Sequence, residues 1–298
     1  MARKQFVERR FHLKIKASFI PIVFWFAVKR FCLAFLSIAT LSSLFYVQDT
    51  AAQSDPKSTQ ITEESLKDIH LSVGFSVPPY VIAGQNRGAE LDIVREAMAL
   101  EGYRVVPFYV SNKRRNAEYT DGVTDGAMTV SPHEELEGHY SKTYITYQNV
   151  AISLAARRFD IKKIADLADK RIVAFQTASK VLGPEFSRAI SGRDTYREVA
   201  KQYEQIIRLY AGDVDVVVGD KNILRWFAKN SEYPEELDTA QPIAIHQIFL
   251  PGHKYVVFRN RSLTVAFDRG IDTLKENGRY DEILTSYGFN VIPQNDPS

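Results

Sequence analysis

In the stretch Ala211-Gly212-Asp213-Val214-Asp215-Val216-Val217-Val218-Gly219-Asp220, the run from Val214 to Val218 stands between Asp213 and Gly219. It reads as a strand buried on both faces, the kind found in parallel sheets. A helix is expected on each side of it, Lys201 to Tyr210 before and Asn222 to Lys229 after. Further upstream lie a strand at Thr195 to Val199, a helix from Ala178 to about Ile190, a strand at Arg171 to Phe175 and a short helix at Ile161 to Ala168.

An earlier unit has the same alternation. Ile69 to Phe75 reads as a strand broken by Pro78-Pro79, and Leu91, Val94, Ala97 and Met98 recur at helical spacing up to Gly102. Arg104 to Val110 and Val123 to Val130 are the next strands. The extended stretch Tyr144 to Ala156 is too long for one ordinary strand and suggests a passage from one sheet to another. After the second unit come strands at Ala240 to Leu250 and Lys254 to Arg259, then helices at Leu263 to Glu276 and Tyr280 to Ser286 that return to the first unit. Two successive α/β units imply two mainly parallel sheets with helices on their faces. Lobe 1 is expected to span 69–150 and 254–298, and lobe 2 to span 151–253. Ligands of open α/β sheets bind beyond the carboxyl ends of strands, so two facing sheets enclose a cleft.

Apolar residues make up 45% of the 298 and charged residues 25%, a globular balance with enough length for two cores. The net charge of +2 is misleading. Residues 1–52 hold eight of the 38 Lys and Arg and two of the 36 acids, which leaves 30 basic and 34 acidic residues, a net of −4. That excludes a generally basic surface for nucleic acid. Residues 1–52 read as a signal peptide: a basic segment, the apolar run Phe31 to Val47, then the small residues Thr50, Ala51 and Ala52. An upstream apolar run suggests that a compact leader begins at Val28, and an uncleaved N-terminal anchor is the alternative. Residues 53–68 are polar and expected to be a flexible stretch. The only cysteine, Cys32, lies in the leader, so the remainder has no disulfide and no thiol metal site.

Five segments resemble extracellular solute-binding protein family 3, the polar amino-acid type of periplasmic binding protein of ABC transporters. They are Val73-Gly74-Phe75-Ser76-Val77-Pro78-Pro79-Tyr80, Gly88-Ala89-Glu90-Leu91-Asp92-Ile93-Val94, Thr124-Asp125-Gly126-Ala127-Met128-Thr129-Val130-Ser131-Pro132, Ala211 to Asp220, and Gly278-Arg279-Tyr280-Asp281-Glu282-Ile283-Leu284. The resemblance implies a two-lobed type II flytrap fold with a hinge, export to the periplasm, and capture of a small-molecule ligand without chemistry or cofactor. It implies a monomer that docks on the membrane permease of an ABC transporter or on a sensor-kinase periplasmic domain.

Thr129 and Ser131 fall in the implied ligand cleft. Phe75 and Tyr80, stiffened by the two prolines, are aromatic cleft walls or core residues. Gln176, Thr177 and Ser179 follow a strand and begin a helix, where N–H groups and hydroxyls receive an anion or Thr177 simply caps. Asp220 follows the carboxyl end of its strand; the resemblance implies an acid that receives a ligand ammonium, and the alternative is a cap for the helix at Asn222. One departure stands out. The family places an Arg for the ligand carboxylate after the Thr-Pro of the third strand, and here Ser131-Pro132-His133-Glu134-Glu135 has none. His133 substitutes, Arg114 or Arg115 reaches in, or the ligand lacks a standard carboxylate; an amine with a less usual acidic or neutral end is expected.

Relatives resembling cyclohexadienyl dehydratase make a periplasmic enzyme the alternative, with Glu134 or Glu135 as the carboxyl acid or base. The spacings of His133 with His139 and of His246 with His253 match no metal motif, and neither a nucleophile elbow nor a phosphate loop is present.

Overall fold

The strand β1 (Lys67–Gly74) lies between β2 (Tyr103–Val110) and β3 (Gly126–Val130) and runs parallel to both. A computed structural model describes residues 66–74 and 77–290, so the leader, residues 53–65 of the stretch expected to be flexible, and Phe75 lie outside the described residues, while Lys67 and Asp68 of that stretch belong to β1. The crossover from β1 to β2 is helix α1 (Ala89–Leu100), which buries Leu91, Ile93, Val94, Ala97 and Met98 at helical spacing. The crossover from β2 to β3 is helix α2 (Asn112–Thr120). Nothing in Asn112 to Thr120 alternates as an amphipathic helix should. Its turn is started by Ser111, whose hydroxyl accepts from the Arg114 N–H, and it is pinned by the buried side chains of Arg115 and Tyr119.

The short strands β4 (His139–Tyr140) and β5 (Ile145–Tyr147) follow. One residue, Gln148, then separates β5 from β6 (Asn149–Leu154), which belongs to the second sheet. That sheet also contains β7 (Ile172–Phe175), β8 (Tyr196–Val199), β9 (Val216–Asp220) and β10 (Ile243–His246), in the order β10-β6-β9-β7-β8. Its helices are α3 (Ala178–Val181), α4 (Gly183–Ile190), α5 (Tyr203–Tyr210) and α6 (Lys221–Asn230). The chain then returns through 247–251 to β11 (Gly252–Phe258), antiparallel to β3, β4 and β5. Helices α7 (Arg261–Glu276) and α8 (Arg279–Ser286) pack back on α1. Each sheet therefore has a parallel half, β2-β1-β3 or β9-β7-β8, completed by antiparallel strands.

β9 is buried along its whole length. Val216 and Val218 join the core holding Ile172, Ala174 and Phe186, while Val217 joins Val150, Ile152, Leu209 and Leu224 on the other face. The strand starts at Val216 and not at Val214 because Asp215 is an anchor. Its carboxylate takes the Arg171 N–H at 2.9 Å and the guanidinium groups of Arg171 and Arg157, which hold it below the usual aspartate range. The expected helix from Ala178 to Ile190 is two helices, broken at Leu182, where the chain turns into Gly183, whose φ of 89° glycine adopts readily, and Pro184. The expected helix at Ile161 to Ala168 is a single 3-10 turn at Ile164–Leu167. The strand expected from Ala240 to Leu250 is only β10. Pro242 stands just before it and the chain then leaves the sheet toward Pro251. Among the described residues no helix is long and apolar enough to cross a membrane.

Candidate functional site

β3 ends in a bulge. Opposite Tyr255 to Val257 the pairing slips, and Thr129 is forced to a φ of 60°, a left-handed conformation that a β-branched residue adopts only under constraint. The bulge aims three groups of one residue in different directions. The Thr129 hydroxyl donates to Glu90 Oε1 at 2.7 Å, its carbonyl accepts from Arg115 at 3.0 Å, and its N–H meets the Tyr144 hydroxyl at 3.2 Å. Glu90, in the first turn of α1, is fully buried and also accepts from the hydroxyls of Tyr144 and, at 2.8 Å, Tyr147. Three hydroxyl donors thus replace water around one buried carboxylate.

Ser131, two residues past the bulge, is buried and accepts from Lys254 Nζ at 2.6 Å. Lys254 comes from β11 and also lies 5.5 Å over the Tyr147 ring. Burial lowers its pKa, opposed by the charges of Glu90 and Glu134. Arg115 is 4% exposed and pairs with Glu134. Burial acts to raise the Glu134 pKa, but Arg115, the Asn116 amide and the Ser131 N–H outweigh it and hold the carboxyl below the usual range. Of the groups considered for the missing Arg, His133 is exposed, Arg114 pairs with Glu118 on the surface, and Arg115 reaches the end of β3.

Tyr80, in the turn that follows β1, reaches the end of β9 in the second sheet. Its ring is fully buried, stacked on Tyr147 at 3.8 Å and edge-on to Phe289, while its hydroxyl lies 3.1 Å from both carboxylate oxygens of Asp220. Asp220 is the last residue of β9 and is 4% exposed. It caps α6 through the N–H groups of Asn222 and Ile223, at 2.9 and 3.1 Å, and takes the N–H of Gln148 at 2.7 Å. Asn222 Nδ2 donates to the Tyr80 hydroxyl at 3.1 Å, and its Oδ1 is buried with no hydrogen-bond partner. Asp220 has no ion-pairing cation among the described residues. Tyr80 is thus both core residue and cross-sheet contact, and Asp220 is a helix cap with additional donors.

At the carboxyl end of β7, Gln176 is exposed and Thr177 adopts a φ of 71° without a side-chain capping bond. The N–H groups of Thr177 and Ser179 both point at a carboxylate, but it is the chain's own. Glu198, on β8, receives them at 2.6 and 2.8 Å and the Tyr196 hydroxyl at 2.8 Å. Burial acts to raise Glu198, and these donors bring it below the usual glutamate range. Glu90, Tyr147, Lys254 and Glu198 were not candidates from the sequence. The available signal was a charged residue in an otherwise apolar setting, such as Lys254 before Tyr255-Val256-Val257-Phe258.

No protein-family model matches the chain, and a search of curated proteins finds no match. Solved structures do match. The ligand-binding core of GluR0 in complex with L-glutamate aligns with a TM-score of 0.58 at 17% identity over 75% of this chain and 99% of its own. A histidine kinase sensor domain with similarity to periplasmic binding proteins gives 0.58 at 14% over 77% and 100%. An ancestral amino-acid-binding protein described as a precursor of cyclohexadienyl dehydratase gives 0.53 at 16% over 74% and 95%. At these identities the likeness shows the fold, that of the periplasmic binding proteins, with two α/β lobes joined by two crossings of the chain.

Proposed function

We propose that this chain is a periplasmic solute-binding protein that captures a small polar, amine-containing ligand between its lobes and performs no chemistry on it. The lobes are taken as 69–150 with 254–298 and as 151–253, bounds that lie within three residues of the two passages between the sheets, Gln148 and 247–251. The observation that supports this most directly is Asp220, a buried carboxylate at the contact between the sheets, with no cation paired to it among the described residues and an unpartnered amide oxygen of Asn222 beside it. An ammonium supplies the positive charge that Asp220 lacks and a donor for Asn222 Oδ1. Tyr80, Thr129 and Ser131 line the same region; Gln176, Thr177 and Ser179 form the opposite rim.

The test is a thermal-shift screen of amines, amino acids, small peptides and organic acids. A ligand at a hundredfold excess over its dissociation constant adds about 2.7 kcal/mol of stability and raises the melting temperature. Asp220→Asn is expected to weaken an amine by about ten- to a hundredfold, the worth of a charge-assisted hydrogen bond. Wild-type affinity in that variant would remove the anchor role. The ligand is handed to an ABC permease or read by a sensor kinase, and the genes beside this one discriminate the two. Export with removal of the leader is tested by sequencing the mature N-terminus, expected near Gln53. The likeness to a dehydratase precursor favours one second reading, an eliminating enzyme; incubation with prephenate or arogenate is expected to give no product.

A further inference from the structure

We infer that the ligand of this cleft is a cation that carries no carboxylate, because the chain's own glutamates occupy the groups able to receive one. The inference rests on the binding role proposed above and narrows its ligand class.

The first such group is Arg115. Its guanidinium is committed to Glu134, to the Thr129 carbonyl and to Asn116 Oδ1. Glu134 is itself held by Asn116 Nδ2 at 2.9 Å and the Ser131 N–H at 2.8 Å, so displacing it breaks several bonds at once. The second is the pair of N–H groups of Thr177 and Ser179, bridged by the two oxygens of Glu198 and fixed by Tyr196. The third group is the ammonium of Lys254, which is hydrogen-bonded to Ser131 and faces both Glu90 and Glu134. A ligand carboxylate approaching it would meet two like charges.

Acceptors, by contrast, are in excess. Asp220 and Glu90 are buried carboxylates outside any ion pair among the described residues, and Asn222 Oδ1 has no donor. Counting Glu90, Glu134 and Asp220, which are linked through Tyr80, Tyr147 and Ser131, against Arg115 and Lys254, three acids stand beside two bases, a balance of −1 when all are ionised. A zwitterion leaves that balance unchanged and adds an acceptor where donors are wanted. An amine or guanidinium ligand without a carboxylate moves the balance toward zero and satisfies Asp220 and Asn222 together.

The experiment compares matched pairs that differ only by the carboxylate: agmatine with arginine, cadaverine with lysine, histamine with histidine, and tyramine with tyrosine. Binding is measured by thermal shift and titration calorimetry. In at least one pair the amine is expected to bind about tenfold or more tightly than its amino acid, and Asp220→Asn to weaken it. If the amino acids bind as tightly as their amines or more so, the inference fails while capture of an amine stands. If no amine, amino acid or peptide binds the wild-type protein, the proposed function fails and takes the inference with it. A second variant, Glu134→Gln, first checked for a wild-type circular dichroism spectrum, is expected to narrow the preference for amines several-fold by freeing Arg115. An unchanged preference in the folded variant overturns the role given to Glu134.

Discussion

Burial holds the Asp220 carboxyl above the usual aspartate range even though the N–H groups of Ile223, Gln148 and Asn222 and the Tyr80 hydroxyl point at it. Between the ordinary value and the raised one, the folded protein keeps a proton that the unfolded chain has lost. Asp220 therefore makes folding less favourable as pH climbs through that window. A bound ammonium favours the ionised form and expels that proton. Amine affinity should accordingly rise with pH above about 4 and level off once Asp220 is ionised in the free protein. Calorimetry in buffers of different ionisation enthalpy should show proton release on binding in that window, and a flat affinity with no release counts against Asp220 as the anchor. Glu90 presents a different balance, since Thr129, Tyr144 and Tyr147 all donate to it. Glu90→Ala leaves the hydroxyls of Thr129, Tyr144 and Tyr147, the second of them buried, without their acceptor and is expected to cost about 1 to 3 kcal/mol in urea unfolding. Glu90→Gln keeps one acceptor oxygen and should cost less.

Helices α1 and α7 approach closely because Gly270 has no side chain; a Cβ there would collide with the Ala97 backbone. Gly270→Ala has nothing wrong with it as a helix residue and gains intrinsic propensity, so any loss comes from the contact. The expected loss is about 1 to 3 kcal/mol, read as a lower urea midpoint at unchanged slope. The elements legible in the sequence were those whose signal is local. β9 was legible as valines between turn residues, α1 as Leu91, Val94, Ala97 and Met98 on one face, and α7 as a longer stripe of the same kind. α2 was not, because Asn112 to Thr120 is held by a cap and by Arg115 reaching a distant strand rather than by an apolar face. The site divides similarly. Tyr80 and Asp220 sit beside motif prolines and at a strand end, so their positions could be read, but their contact spans 140 positions. Glu90 with Tyr147, 57 apart, and Lys254 with Ser131, 123 apart, are brought together only by the finished sheets. The Glu198 bond to Thr177 depends on the exact register of β8 beside β7, which no single segment specifies.

Two crossings join the lobes, Gln148 between β5 and β6 and 247–251 between β10 and β11. Closure of one lobe on the other is expected to turn on these short segments, as in a hinge. Scattering should show a smaller radius of gyration when a tightly binding ligand is added, and no change would count against closure. The same two crossings set an order of assembly. All five strands of the second sheet lie in one uninterrupted stretch, 149–246, whereas β3 gains its neighbour β11 only from residues near the end of the chain. As the polypeptide is made from its N-terminus, the inner lobe can finish while the outer one still waits, its β3 edge open to solvent and to other strands. The lobe that begins the sequence is therefore the last to be completed, and the period before β11 docks is when the newborn chain is most exposed to aggregation.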